Sequence, residues 1–152
     1  MDANTLARAC ADALWADDHA SRGLQMQLIS VEPGHAVLVM HVTEAMVNGH
    51  GICQGGYLFA LAESALLYAC NTYNRRTVAQ HCSMTFLNDA QLRDRLVAKA
   101  VERQRSGRSG VYDVTVTREE GFVIGEFRGI TRMIEGELVP GARVRGALGA
   151  KR

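Results

Sequence analysis

The chain has no charge excess: 17 Lys and Arg stand against 16 Asp and Glu, for a formal net charge of +1. A surface so balanced has no global attraction for nucleic acid or anionic membrane. Paired cysteines are also missing. Cys10, Cys53, Cys70 and Cys82 stand apart and form no CxxC, so free thiols of a cytoplasmic protein are expected, and no metal site. No apolar run approaches the ~18 residues that cross a bilayer. The first residues carry Asp2, Asp12, Asp17 and Asp18 rather than a basic stretch and an apolar core. A signal peptide is therefore not expected.

Several catalytic signatures are absent too. There is no HExxH, and the five histidines are scattered. Ser109 within Gly107-Arg108-Ser109-Gly110 lacks the frame of a nucleophile elbow. Gly49-His50-Gly51 followed by Gly55 misses the dinucleotide spacing by one residue, and no βαβ repeat follows. Cys53 has no identifiable histidine partner and reads as a small core residue.

What remains is one domain of ordinary size and composition, 152 residues with 47% apolar and 22% charged. Leu6, Ala7, Ala9, Cys10, Ala13 and Leu14 recur at helical spacing over 4–16, with Asn4 or Thr5 as a cap. Gly23 and Pro33-Gly34 interrupt the chain. Residues 35–42 are a strand candidate, and a glycine-rich loop fills 43–54. A helix follows the loop and stops near Asn71–Asn74, with Arg75 and Arg76 near the negative end of its dipole. Four more strands are predicted, near 78–87, 96–105, 110–117 and 122–131, with short turns between the last three. Strands in succession around one helix predict an α+β domain: an antiparallel five-stranded sheet wrapped on one long central helix, with an N-terminal helix. The expected division is 1–20 for that N-terminal helix, 21–135 for the sheet-and-helix domain, and 136–152 for a partly flexible tail.

Tyr57 to Cys70 is apolar at nearly every position, which predicts a helix buried all round. Glu63 interrupts it. A buried carboxylate is costly unless it is paired or neutral. It is either structural, paired with a cation from elsewhere, or chemical, and perturbed carboxylates cluster at functional sites. Ser64 and Asn71 are its main polar companions. Gly55-Gly56 serves either plain helix entry or, through free N–H groups, the stabilisation of a developing oxyanion. Asn48, His50 and Gln54 each offer a hydrogen bond, with turn chemistry and exposure as the plainer roles. Arg103, Arg105, Arg108, Arg128 and Arg132 are read either as a solvated hairpin or as a cluster suited to phosphate.

Asn48-Gly-His-Gly-Ile-Cys-Gln-Gly-Gly-Tyr-Leu-Phe-Ala-Leu-Ala-Glu-Ser-Ala65 resembles the signature of hotdog-fold acyl-CoA thioesterases, nearest the phenylacetate-pathway (PaaI-type) branch. The resemblance extends through Val111-Tyr112-Asp113 and Phe127-Arg128-Gly129, over roughly residues 20–135. It implies a hotdog domain that hydrolyses acyl-CoA without metal or separate cofactor, coenzyme A being part of the substrate. It also implies homodimers that pair into tetramers, and aryl-acetyl substrates such as hydroxyphenylacetyl-CoA. On this likeness Glu63 matches the helix carboxylate, Gly55 the N–H donor to the carbonyl, and Asn48 the loop asparagine. Gln54 stands where the branch has histidine, and Glu63 where it has aspartate. Gly56, Tyr57, Ser64, Val111, Tyr112 and Arg128 are the expected substrate contacts, with Leu67 and Tyr68 further pocket candidates.

Gly55 and Glu63 are eight residues apart, ~12 Å along a helix. One carbonyl needs donor and base each within ~3–3.5 Å. A site shared between two antiparallel copies of the helix is therefore expected, Glu63 acting on a water or as a nucleophile. The rival readings are a hotdog acyl-thioester dehydratase, for which Gln54 is the wrong residue, and a non-catalytic acyl-CoA-binding protein, which lacks an output module here.

Overall fold

The computed structural model describes residues 1–146. Helix α1 spans Ala3–Ala16 and short helix α2 His19–Gly23. Strands β1 (Gln27–Glu32) and β2 (His35–His41) form a hairpin. Helix α3 is Gly55–Cys70. Then come β3 (Thr77–Phe86), β4 (Arg95–Ser106), β5 (Ser109–Arg118) and β6 (Val123–Met133). All pairings are antiparallel, in the order β1-β2-β4-β5-β6-β3.

The sheet therefore has six strands rather than the expected five. The additional one is β1, an edge strand whose Gln27, Ser30 and Glu32 are largely exposed. Its apolar alternation is too weak to mark it, and its partner across the Pro33-Gly34 turn defines it. The N-terminal cap also differs. Asp2 caps α1 by accepting from the Thr5 N–H at 2.7 Å, so neither Asn4 nor Thr5 does so.

Helix α3 lies on one face of the sheet. Leu58, Leu61, Ala62, Ala65, Leu66, Ala69 and Cys70 are buried against Leu38, Met40, Leu96, Ala98, Tyr112, Val114, Val116 and Phe127. Alternation along β5 sends Gly110, Tyr112, Val114 and Val116 inward, and Val111, Asp113 and Thr115 to the outer face. The helix ends at Asn71, whose Nδ2 donates to the Leu67 carbonyl and whose Oδ1 accepts from the Thr77 N–H at 3.0 Å. Helix exit and β3 entry are thus joined through one side chain. No basic residue lies in the last turn of α3, so the expected dipole role of Arg75 and Arg76 is taken by this cap.

The segment expected to be a flexible tail from 136 is tied to the body as far as it is described, and 147–152 lie outside the described residues. The anchor is Asn74, buried and left-handed at φ 59°. Its Oδ1 accepts from the N–H groups of Leu138 and Val139, and its Nδ2 donates to the carbonyls of Val139 and Ala142. Asn74→Ala removes these bonds and strains the backbone, so unfolding stability should fall by about 2–4 kcal/mol. Asn74→Gly, which relaxes the backbone alone, should cost less. Urea denaturation of both variants measures the difference.

Candidate active site

The first turn of α3 leaves N–H groups without intrahelical partners. Those of Gly55 and Gly56 have no acceptor among the described residues. The loop before them is built to present them. The Asn48 Oδ1 accepts from the His50 N–H at 2.9 Å and the Ile52 N–H at 3.4 Å, and Gly51 takes φ 77°. The Cys53 N–H donates to the Ala90 carbonyl and the Gln54 N–H to that of Met46, both at 2.8 Å. Gln54 is the cap residue, but its side chain is exposed and does not cap. Its amide makes no hydrogen bond among the described residues and is available to a ligand.

Gly55 is glycine because of close approach, not because of its dihedral. A Cβ there would lie 2.8 Å from Cζ of Phe86, whose ring rests on the helix start. Beside it is a cleft of about 230 Å³ lined by Asn48, Ile52, Cys53, Gly55, Leu58, Phe86 and Asn88–Ala90.

Glu63 corrects the sequence expectation. It is exposed in the single chain, not buried. The helix has an open face: Gly56 and Glu63 are exposed, with Phe59, Ala60 and Leu67 half-buried. The apolar pattern ran all round because even this face is made of small and apolar residues. Nor do the expected companions serve Glu63. The Ser64 hydroxyl pairs with that of Ser21 at 2.9 Å, and Asn71 caps the helix end.

Strand β3 runs alongside this face. Burial raises the Cys82 thiol pKa, and the nearby charge of Glu63 raises it further. The Phe86 ring lies against Gly55, and Cys82 lies within electrostatic range of Glu63. Eight helical residues span ~12 Å. The helical rise alone therefore places Gly55 and Glu63 of one chain too far apart to meet at one carbonyl.

The sequence from 50 to 124 matches the Thioesterase superfamily. Acyl-coenzyme A thioesterase PaaI of Escherichia coli is 37% identical over 128 residues, 84% of this chain and 91% of that protein. The chain belongs to the PaaI-type branch of the hotdog-fold acyl-CoA thioesterases. The solved structure of E. coli PaaI, from the phenylacetic acid degradation operon, superposes with a TM-score of 0.86 at 36% identity, over 88% of this chain and 97% of that one. A mutant of the phenylacetic acid degradation protein PaaI from Thermus thermophilus gives 0.74 at 32% identity, over 77% and 100%. As a family member the protein is an acyl-CoA thioester hydrolase.

Within this thioesterase the expected site residues divide. Asn48, Gln54, Gly55 and Gly56 gather at the start of α3, and Glu63 follows two turns on. Tyr57 faces a different cavity, of about 210 Å³, with Leu24, Gln25 and Met46. Tyr68 is buried, its hydroxyl donating to Asp18 at 2.8 Å. Tyr112, expected to contact substrate, lies in the core under α3 and donates to Glu102 at 2.9 Å. Val111 and Arg128 are on the outer face of the sheet, which separates them from the helix start. Strand alternation, unreadable as a direction until the helix is placed, decides both.

The arginines do not gather into one phosphate site. Arg128 and Arg103 both bind Asp113, at 2.7 Å each. The Arg128 guanidinium, aided by Arg103, holds the Asp113 carboxyl down at about 2. Arg105 instead pairs with Glu102 and covers the Tyr73 ring. The Cys53 thiol is buried and pushed up to about 11, which suits a core residue rather than a nucleophile. Sequence reading missed Cys82, Phe86 and Asp89. They come from β3 and the loop after it, and nothing local in those segments marks them.

Proposed function

We propose that the protein hydrolyses aryl-acetyl-CoA thioesters, such as hydroxyphenylacetyl-CoA, to the free acid and CoA, at sites shared between two copies of the chain. The observation that carries this is the free N–H of Gly55 beside an apolar cleft that Gly55 itself lines, with the free N–H of Gly56 next to it. The thioester carbonyl oxygen accepts from the Gly55 N–H, at the positive end of the α3 dipole. This donor gains most as the oxygen becomes an oxyanion, so it favours the transition state over the bound substrate. The free side-chain amide of Gln54 and the Nδ2 of Asn48 orient the carbonyl or the water.

Glu63 of a second copy acts on the carbonyl carbon. As general base it takes a proton from water while the oxygen attacks. The tetrahedral intermediate then collapses, the C–S bond breaks, and CoA leaves as the thiolate. As nucleophile it forms a mixed anhydride with loss of the same thiolate, and water then cleaves the anhydride. Two features support the second copy. Strand β3 is a ten-residue edge with one side unpaired, and Val78 and Phe86 on it are 40% and 52% exposed. An edge of that length invites a partner strand. Two antiparallel β3 strands would set the open faces of two α3 helices against each other, bringing Glu63 of one toward Gly55 of the other. The phenylacetate pathway and a tetrameric assembly belong to the same reading.

The test is a panel of aryl-acetyl, straight-chain and branched acyl-CoA substrates, followed by release of free thiol. Aryl-acetyl thioesters should give the highest kcat/KM, by about tenfold or more over short straight chains. A flat profile would reject the aryl assignment. Binding without thiol release would reject hydrolysis.

A further inference from the structure

We infer that Asp89 sets the acyl specificity of the Gly55 cleft, favouring neutral acyl groups with a hydrogen-bond donor at the far end and rejecting those that end in a carboxylate. This rests on the proposed reading, with the thioester oxygen on the Gly55 N–H. A carbonyl held there has two arms, the acyl group and CoA, and the cleft can take only one.

The cleft suits the acyl arm. Its floor is Cys53, Leu58 and Ala90, each at most 3% exposed. Its volume of about 230 Å³ lies below the ~300–1,000 Å³ of pockets that enclose drug-sized ligands. Among the described residues of the single chain no Lys or Arg lines it, so the phosphates of CoA would find no counter-charge there, and Asp89 would repel them. The apolar floor and the Phe86 ring instead suit a compact apolar group such as an aryl ring.

The polar rim consists of Asn48, Asn88 and Asp89. Each asparagine has one group engaged, which leaves the Asn48 Nδ2 as a donor and the Asn88 Oδ1 as a neutral acceptor. The Asn88 Nδ2 donates to the Val123 carbonyl at 2.7 Å, and the Asn48 Oδ1 holds the loop turn. The Asp89 carboxylate has no hydrogen-bond or ion-pair partner among the described residues. Its position is held, because the adjoining Ala90 carbonyl accepts from the Cys53 N–H at the cleft floor. A hydroxyl reaching the rim therefore meets a strong, unoccupied acceptor. Asp89 is exposed, so a carboxylate reaching the same place meets like charge at a solvated rim, a repulsion that added salt weakens.

The experiment compares phenylacetyl-CoA with its ring-hydroxylated and ring-carboxylated derivatives, each as meta and para isomers, by thiol release. Each kcat/KM is divided by that for phenylacetyl-CoA in the same preparation, so any inactive fraction cancels. Asp89→Ala should lower the ratio for the better hydroxy isomer by about tenfold. Asp89→Asn, which removes charge and keeps size, should raise the ratio for the better carboxy isomer by about tenfold. Unchanged ratios in both variants, with hydrolysis intact, overturn the role of Asp89 and leave the proposed function standing. Failure of the wild-type protein to hydrolyse any of these substrates overturns the proposed function, and the inference with it.

Discussion

Glu63→Gln should lower kcat on the best aryl-acetyl-CoA by about a thousandfold, with KM changed less than about threefold. The amide keeps the shape of the side chain and loses its basicity and nucleophilicity. What it removes acts on the reacting carbon only during the chemical step. Glu63→Ala should fall as far. The fold should be indifferent to either change, since Glu63 is exposed in the single chain and has no hydrogen-bond partner among the described residues. Thermal unfolding should shift little, which separates lost chemistry from lost structure. A variant that keeps near wild-type kcat would remove Glu63 from the mechanism. Heavy-oxygen water then divides the two routes in the wild type. An anhydride opened at the Glu63 carbonyl leaves label on Glu63 after a single turnover, whereas a general-base route leaves it only in the product acid.

Mixing two inactive variants should restore activity. Gly55→Pro removes the N–H at the first helical position, where proline is otherwise tolerated. Its new Cβ also meets the Phe86 ring at about 2.8 Å. Alone it should lose about a hundredfold or more in kcat/KM. Glu63→Ala alone is expected to be at least as impaired. In a heterodimer one site combines the intact Gly55 of one chain with the intact Glu63 of the other, and the second site combines both lesions. With random exchange half the dimers are mixed and half their sites intact, so activity should return to about a quarter of wild type. Sites contained within one chain would show no recovery at all. Exchange of subunits is checked separately with a tagged copy, so that failure to mix is not mistaken for failure to share.

Much of this was legible along the chain. The continuous apolar run of α3, the glycine pair at its start and the one carboxylate within it are local features, and local features survive in a linear reading. The expectation that Gly55 and Glu63 serve different carbonyls needed only the helical rise. Other features were not legible along the chain, for definite reasons. Strand β1 carries too little apolar alternation to be seen without β2. Tyr112, Val111 and Arg128 were grouped as substrate contacts by closeness to matching motifs. Alternation then sent Tyr112 beneath the helix and the other two to the outer face of the sheet. Ser64 stood beside Glu63 in sequence, but a helix turns 100° per residue, and its hydroxyl found Ser21 on α2.

The sequence by itself therefore determined the longer secondary elements apart from β1, though not the short helix α2 or the turn at Glu44–Met46, and it marked α3 and the residues at its N-terminus. Each depends on periodicity or on contacts within a few residues. Only the tertiary structure decided that Glu63 stands on an open face rather than in a closed core. It also brought Cys82, Phe86 and Asp89 to the site from a strand and loop about 20–30 residues away. Burial depends on what packs across from a residue. A helix apolar on every side looks the same in sequence whether its last face is covered by its own sheet or left for a second copy of the chain.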